Sequence, residues 1–127
     1  MTHQPHVICI VESWLDNTIL DEEICLENYV PIRFDRDRHG GGVLLYVRNC
    51  LSYSLVCSGP HDLELIVLTV GTYSSRVALA LFYRPPNSPT SVFDTLLCTL
   101  CSYIDVSLFS NFVLLGDFNV NILNPLI

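Results

Sequence analysis

The sequence predicts a single α/β domain, folded as a layered α/β sandwich of mainly antiparallel strands with two helices. Three observations support this fold class: strand-like apolar runs recur along the chain, short turns separate most of them, and two helix-like segments lie between them. Half of the 127 residues are hydrophobic and only 15% are charged, which is the composition of a chain with a buried core. The longest apolar run, Val77 to Tyr83, is far too short for a membrane-spanning helix.

The first part of the chain is predicted to hold two interior strands and a short helix. Val7–Val11 and Val43–Arg48 are apolar on both faces, as strands inside a packed sheet are. An acidic helix is expected over Thr18–Leu26. The charged stretch that follows it ends in Gly40–Gly42, where the backbone can turn sharply or lie close to another group.

A meander of three antiparallel strands is predicted next. The strands are Leu51–Cys57, which alternates apolar and polar residues, followed by Leu63–Val70 and Val77–Tyr83. Short turns rich in glycine, proline and serine connect them, which favours pairing between consecutive strands.

A second helix and a last strand complete the prediction. Ser88 and Pro89 are a favourable helix start, and apolar residues spaced three and four apart follow from Val92 to Ile104. Phe112–Leu115 is predicted to be a buried strand that ends in the segment Gly-Asp-Phe-Asn.

The six cysteines are interpreted as free thiols. They lie at positions 9, 25, 50, 57, 98 and 101, and no leader-like segment precedes them. Cys98 and Cys101 have the spacing of half a zinc site, but no second pair follows. Because Cys9 lies in a strand-like run and this pair in a helix-like one, we expect most of the thiols to be buried. We therefore expect an intracellular protein of the nucleus or cytoplasm, and not a secreted one.

The charge balance disfavours a nucleic-acid partner. Thirteen acidic residues against six basic ones give a net charge of −7. Proteins that bind nucleic acids through phosphate contacts usually carry a basic patch, and this sequence has no basic run. If the chain binds a phosphate ester, a bound cation must offset its negative field.

Five polar residues stand at or just beyond the ends of apolar strands: Glu12, Tyr83, Asn87, Asp117 and Asn119. A carboxylate at Glu12 is the kind of oxygen ligand that Mg²⁺ takes, and Asp117 can orient or deprotonate an attacking water. Asn119 and Tyr83 offer neutral donors to a phosphoryl oxygen. Taken singly, each residue also fits a structural role as a helix-start acid, an Asx turn or core packing.

Four segments occur in a fixed order along the chain: Ile-Val-Glu-Ser-Trp-Leu at 10–15, Arg-His-Gly-Gly-Gly-Val at 38–43, Phe-Tyr-Arg-Pro-Pro-Asn-Ser at 82–88 and Leu-Gly-Asp-Phe-Asn-Val at 115–120. Together they resemble the endonuclease/exonuclease/phosphatase superfamily. The greatest similarity is to the apurinic-endonuclease-like domain of non-LTR (LINE-type) retrotransposons. The resemblance extends from about Val7 to Asn121.

This resemblance implies a DNase I-like sandwich that cleaves phosphodiester bonds with Mg²⁺ or Mn²⁺, with DNA as the substrate. Glu12 is similar to the metal-binding glutamate of the family. Tyr83 is similar to the tyrosine that contacts the scissile phosphate, and Asn87 to the substrate-binding asparagine after it. Asp117 is similar to the aspartate that activates water, and Asn119 to the asparagine that holds the phosphate. We expect Glu12, Tyr83, Asp117 and Asn119 to converge on one pocket.

The family pattern also includes parts that this sequence does not contain. They are an amino-terminal strand with a metal-binding asparagine, and a later aspartate followed by a Ser-Asp-His element. We therefore expect residues 1–127 to be a partial domain that lacks the amino-terminal strand and the carboxy-terminal half. Such a fragment is expected to be inactive alone and to self-associate through uncovered sheet surface.

Three other functions fit the same sequence. One is a working nuclease whose remaining residues come from another chain. The second is a non-catalytic interaction module on the same scaffold. The third is a phosphatase that acts on a small phosphate ester, which the acidic charge favours.

Overall fold

The computed structural model describes residues 3–72, 74–105 and 111–123. Within these residues, seven strands form two sheets and one α-helix lies between the last two strands. Short 3₁₀ turns occur at Asp21–Ile24 and Pro60–Asp62. The regular elements are β1 (Val7–Val11), β2 (Tyr29–Phe34), β3 (Val43–Arg48), β4 (Tyr53–Ser58), β5 (Glu64–Thr72), β6 (Ser75–Tyr83), α1 (Val92–Tyr103) and β7 (Asn111–Asp117).

The strands form a three-stranded sheet in the order β1-β3-β2 and a four-stranded sheet in the order β4-β5-β6-β7. All neighbours are antiparallel except β6 and β7, which are parallel. Parallel neighbours need a crossover connection, and α1 lies in the connection between them. The prediction of an α/β layered sandwich with mainly antiparallel strands is confirmed.

The inner strands β5 and β6 are buried on both faces, which explains their unbroken apolar sequence. One face packs on the first sheet in a cluster of Val43, Leu45, Val47, Ile66, Leu68, Leu79, Leu81 and Tyr83. The other face packs on the helix in a cluster of Leu63, Leu65, Val67, Ala78, Ala80, Phe82, Leu96, Leu100 and Ile104. Full burial of one such large apolar side chain contributes about 1.5–3 kcal/mol. The layers are therefore sheet, sheet and helix, and Tyr83 belongs to the layer between the two sheets.

The apolar stripe of α1 is confirmed at Leu96, Leu100 and Ile104, which are all buried. Leu97, which also fitted the predicted spacing, is 57% exposed because it lies beside the buried stripe, about 100° around the helix from Leu96. The expectation of mostly buried thiols is wrong, since Cys98 and Cys101 lie outside the stripe and are exposed. Cys25 and Cys50 are exposed as well, and all six cysteines are free thiols.

The helix predicted over Thr18–Leu26 is wrong, because only one 3₁₀ turn, Asp21–Ile24, forms there. Side chains hold the backbone in other conformations. The Thr18 N–H donates to Asp16 Oδ1 at 2.8 Å, and the Leu20 N–H donates to Glu23 Oε2 at 2.8 Å. Such local bonds compete with the hydrogen bonds of a helix. This segment also has no continuous apolar stripe whose packing would stabilise a helix.

Strand β2, which contains Pro31, was not predicted from the sequence. Proline is tolerated in edge strands, where one side of the backbone makes no ladder bonds. In the described sheet, β2 lies at the edge and pairs with β3 alone.

The last strand is less buried than predicted. β7 lies at the edge of its sheet within the described residues, and Phe112 and Val113 are each 37% exposed. No helix in the described part of the chain has the length and apolar character needed to cross a membrane.

Candidate functional site

Three of the predicted residues lie at one rim of the two sheets. Glu12 follows β1 directly, Tyr83 is the last residue of β6, and Asp117 is the last residue of β7. Tyr83 and Asp117 stand opposite each other in the parallel pair, so β6 and β7 end side by side. Strand β1 of the other sheet comes close to both of these strands. The rim is formed by the carboxyl ends of three strands drawn from two sheets.

A hydrogen bond joins the two sheets at this rim. The buried Tyr83 hydroxyl donates to Glu12 Oε1 at 2.5 Å, although the two residues are 71 positions apart in sequence. Burial, together with the bond to the Glu12 carboxylate, raises the pKa of Tyr83 to about 12. Tyr83 is therefore a neutral phenol at ordinary pH, and its chemical role is that of a proton donor in hydrogen bonds.

The segment after β7 folds back on the rim. The Asn119 N–H donates to Asp117 Oδ1 at 2.9 Å, which is the Asx-type turn that the Asp-x-Asn spacing allowed. The Asn119 side chain donates through Nδ2 to the Arg84 carbonyl at 2.6 Å. Asn119 thus sits beside Asp117, with its amide turned toward the segment that follows β6. Asn87 lies in that same segment, between β6 and α1, and is exposed.

Two buried charged residues near the rim had been given no role. Arg84 is 7% exposed, and its guanidinium donates to the carbonyls of Asn119 at 2.9 Å, Phe118 at 3.4 Å and Ser88. Its Cζ also lies 5.2 Å from the centre of the Phe93 ring. Arg84 therefore joins the segments after β6 and β7 to the helix.

Glu64 is the second such residue. It begins β5, stands opposite Tyr83 in the antiparallel pair and is 5% exposed. A signal for it was present in the sequence, because a carboxylate inside an apolar strand is rarely buried unless it has partners. Its partners are Gly42 and Arg36, which are far away in sequence and could not be identified from the pattern.

The side-chain oxygens at the rim are few, and they fit a cation that keeps part of its water shell. No group of three or more histidine, cysteine or acidic residues is gathered as a metal site within the described ranges. Glu12 is exposed, and Asp117 ends the strand beside that of Tyr83. The neighbouring Ser13 hydroxyl is buried and has no hydrogen-bond partner in the described part of the chain. Mg²⁺ commonly takes one or two carboxylates and completes its shell with water and substrate oxygens.

Compared by sequence, the chain matches no protein-family model and none of the curated proteins. Compared by structure, it is similar to the endonuclease domain of TRAS1, a telomere-specific non-LTR retrotransposon, with a TM-score of 0.67 at 11% identity. The human Nocturnin catalytic domain with bound sulfate gives 0.61 at 13% identity. A D. rerio TDP2 humanized by 14 mutations gives 0.57 at 10% identity.

These three likenesses cover 92–94% of this chain but only 50–54% of the others. The chain therefore spans about half the length of the structures that it matches. At such low identity the likeness concerns the fold, and it agrees with the fold that the sequence motifs implied. Over that half, the chain has a DNase I-like fold.

Proposed function

We propose that this chain is part of a divalent-metal-dependent phosphodiesterase domain that acts on DNA, of the kind found in retrotransposon endonucleases. The observation that carries the proposal is the Tyr83–Glu12 hydrogen bond across the two sheets, next to the strand end that presents Asp117. The structural neighbours support it, since one of them is the endonuclease domain of a retrotransposon.

Glu12 is the proposed ligand of Mg²⁺ or Mn²⁺. Its carboxylate is exposed at the rim and is held on one oxygen by the Tyr83 hydroxyl. A cation bound there supplies positive charge that lets a phosphate ester approach an acidic rim. Without such a cation the chain, with its net charge of −7, would repel the phosphate.

Tyr83 is proposed to contact the scissile phosphate. Its hydroxyl has one proton, which it donates to Glu12 in this structure. When the Glu12 carboxylate is engaged elsewhere, the same proton can be donated to a phosphoryl oxygen. Because the pKa of Tyr83 is raised to about 12, the hydroxyl keeps this proton at physiological pH.

Asp117 is proposed to orient or deprotonate the attacking water. One of its oxygens accepts the Asn119 N–H, and the carboxylate has a second oxygen with which to accept a proton. Asn119 has two amide hydrogens, and the bond to the Arg84 carbonyl uses one of them. The second is the proposed donor to phosphate, and the exposed Asn87 is proposed to contact the substrate farther out.

Metal binding by the 127-residue chain tests the role of Glu12. We expect Mn²⁺, followed by electron paramagnetic resonance, to bind the wild type and to bind Glu12→Gln at least roughly tenfold more weakly, the loss typical even of residues that only orient a ligand. Glu22→Gln removes the same charge from an exposed position in the 3₁₀ turn and is the matched control. Equal losses in both variants would show that only the net charge matters.

Catalysis by the chain alone is tested by nicking of supercoiled DNA with Mg²⁺. We propose that the isolated chain is inactive, because it spans about half of the endonuclease structure that it resembles. Nicking that is abolished by Asp117→Ala or Glu12→Ala would contradict this and would favour an active site completed between chains. Hydrolysis of a small phosphate ester but not of DNA would instead favour the phosphatase alternative.

A non-catalytic interaction module is the second candidate, and exposed apolar side chains favour it. Leu97 and Tyr103 on α1 are 57% and 53% exposed, and Phe112 and Val113 on β7 are each 37% exposed. We propose that these surfaces cause self-association. Light scattering during size exclusion tests this: a concentration-dependent mass that Leu97→Glu lowers supports it, and a constant monomer mass contradicts it.

A further inference from the structure

The loop that carries Glu12 is in a backbone conformation that side chains disfavour. Glu12 has φ 53° and Trp14 has φ 57°, which places both residues in the left-handed region. Residues other than glycine adopt this region at a cost, and they stay there only where the surroundings hold them. The position of the Glu12 carboxylate therefore depends on whatever fixes residues 12–14.

The contacts that fix this loop come from the triple-glycine turn at residues 40–42. The Ser13 N–H donates to the Gly42 carbonyl at 3.3 Å, and the Trp14 N–H donates to the Gly41 carbonyl at 3.0 Å. Both bonds are made by the two residues that follow Glu12 in the chain. The loop after β1 is thus attached to the turn that leads into β3.

The glycine turn is in turn held by Glu64. The Gly42 N–H donates to Glu64 Oε1 at 2.6 Å, and Arg36 Nη1 lies 3.7 Å from Glu64 Oε2. Arg36 also donates through Nε to the Gly40 carbonyl at 3.1 Å. A Cβ on Gly41 would overlap both Glu64 and Arg36, so this close approach requires glycine.

Stability alone does not account for a glutamate at position 64. It is 5% exposed, whereas its ionic partner Arg36 is 41% exposed and 3.7 Å away. Removing a carboxylate from water is costly, and a well-packed apolar residue often replaces a buried ion pair without loss. What an apolar residue cannot do is accept the Gly42 N–H.

We propose that Glu64, assisted by Arg36, is a positioning residue that fixes the glycine turn and through it the Glu12 carboxylate at the rim. The route is short: Glu64 holds Gly42, and Gly41 and Gly42 hold residues 13 and 14. The same residue stands opposite Tyr83 in the sheet, so one strand position organises both partners of the Tyr83–Glu12 bond. The inference rests on the proposed function of Glu12 as the cation ligand.

The chain contains a convenient reporter of this loop. Trp14 is its single tryptophan, is 56% exposed and donates its backbone N–H to the turn. Its fluorescence anisotropy reports how firmly the loop is held, with or without a metal ion. Mn²⁺ affinity reports the position of Glu12 itself. The two readouts separate the positioning role from the ligand role.

The test compares Glu64→Leu, Glu64→Gln and Leu65→Ala in the 127-residue chain. We expect Glu64→Leu to lower the anisotropy of Trp14 and to weaken Mn²⁺ binding by about 10- to 100-fold. Glu64→Gln keeps an oxygen that accepts the Gly42 N–H, so it should restore most of both signals. Leu65→Ala, on the opposite face of β5, should lower the unfolding midpoint but leave both signals unchanged.

The proposal is overturned if Glu64→Leu has the same Trp14 anisotropy and Mn²⁺ affinity as the wild type. It is also overturned if Leu65→Ala lowers both signals as much as Glu64→Leu does. If Glu64→Leu does not fold, Arg36→Gln decides, because Arg36 is 41% exposed and its loss should loosen the turn without unfolding the chain. Unchanged signals in Arg36→Gln then overturn the proposal, and reduced ones support it. If the wild type binds no Mn²⁺, the proposed function fails, while the anisotropy still decides whether Glu64 holds the loop.

Discussion

Two loops follow strand ends at the rim, and side chains of opposite charge hold them in place. The loop after β1 presents Glu12 with φ 53°, and the segment after β7 presents Asn119 with φ 48°. The first is attached through the glycine turn to the buried carboxylate of Glu64. The second is attached directly to the buried guanidinium of Arg84. In both loops, a residue with left-handed backbone conformation is held in place by a buried charged side chain.

The two anchoring residues, Glu64 and Arg84, differ in how much of the fold depends on them. Glu64 accepts one backbone bond and has a partly exposed cation beside it. Arg84 donates to three carbonyls from two segments and stacks on Phe93, and its Nε has no partner in the described part of the chain. Losing Arg84 therefore removes the donor to three carbonyls on half-buried or exposed residues, whereas losing Glu64 releases mainly one turn. We expect Arg84 to govern stability and Glu64 to govern the placement of Glu12.

The largest expected effect is the loss of stability in Arg84→Met. Because it removes the donor to three carbonyls, we expect the free energy of unfolding to fall by roughly 3 kcal/mol in urea titrations. Arg38→Met is the matched control, since the Arg38 side chain is 57% exposed and exposed ion pairs contribute little to stability. Similar losses in both variants would erase the difference between the two anchors.

The Tyr83 hydroxyl donates to Glu12 on the first loop, and the raised pKa of Tyr83 predicts a stability that declines in alkali. Below pH 10 the tyrosine is protonated in both the folded and the unfolded chain, so its contribution is fully present. Between pH 10 and about 12 only the unfolded chain loses the proton, so stability falls as the pH rises.

Relative to Tyr83→Phe, the wild type should lose about 1.5 kcal/mol of stability between about pH 9 and about pH 11. Denaturant unfolding at the two pH values measures this difference. Phenylalanine keeps the buried ring but has no proton to lose, so it removes the effect of the other tyrosines from the comparison. A constant difference between the two proteins would contradict the Tyr83–Glu12 bond.

The smallest expected effect tests the left-handed residues of both loops. Glycine tolerates φ values near +50° and alanine does not, so Glu12→Gly should be more stable than Glu12→Ala by about 1 kcal/mol. Asn119→Gly should exceed Asn119→Ala by a similar amount. Asp94, inside α1, is the control position, because there alanine should be the more stable of the two by about 1 kcal/mol. The same order at all three positions would contradict the loop conformations.

The sequence predicted those parts of the fold that follow from burial pattern. β3, β5 and β6 appear as apolar runs because they are inner strands, and α1 appears through its three-and-four spacing. β1 was predicted to be an interior strand but lies at the edge of its described sheet, with one face packed on the core and Ile10 36% exposed. Prediction was wrong where local signals were overridden. The edge strand β2 was not predicted, and bonds from backbone N–H groups to the Asp16 and Glu23 carboxylates replaced the expected helix.

The candidate site was predicted residue by residue, and the structure shows how its parts meet. Glu12, Tyr83 and Asp117 lie at one rim, while the Asn119 amide is directed to the Arg84 carbonyl and Asn87 is exposed in the neighbouring segment. Their roles in metal and phosphate binding stay predictions. Arg84 and Glu64 could not be assigned from the sequence, since a buried charge is defined by partners that only folding brings together.

By itself, the amino-acid sequence determined which residues are apolar, where the chain must turn, and which polar side chains stand at strand ends. Only the tertiary structure decided that β1 and β6, from different sheets, place Glu12 and Tyr83 within 2.5 Å, and that a carboxylate and a guanidinium in the core hold the two loops. The physical reason is one of range. Hydrophobic periodicity is local along the chain, whereas hydrogen bonds between residues 22 to 71 positions apart exist only after the sheets have packed.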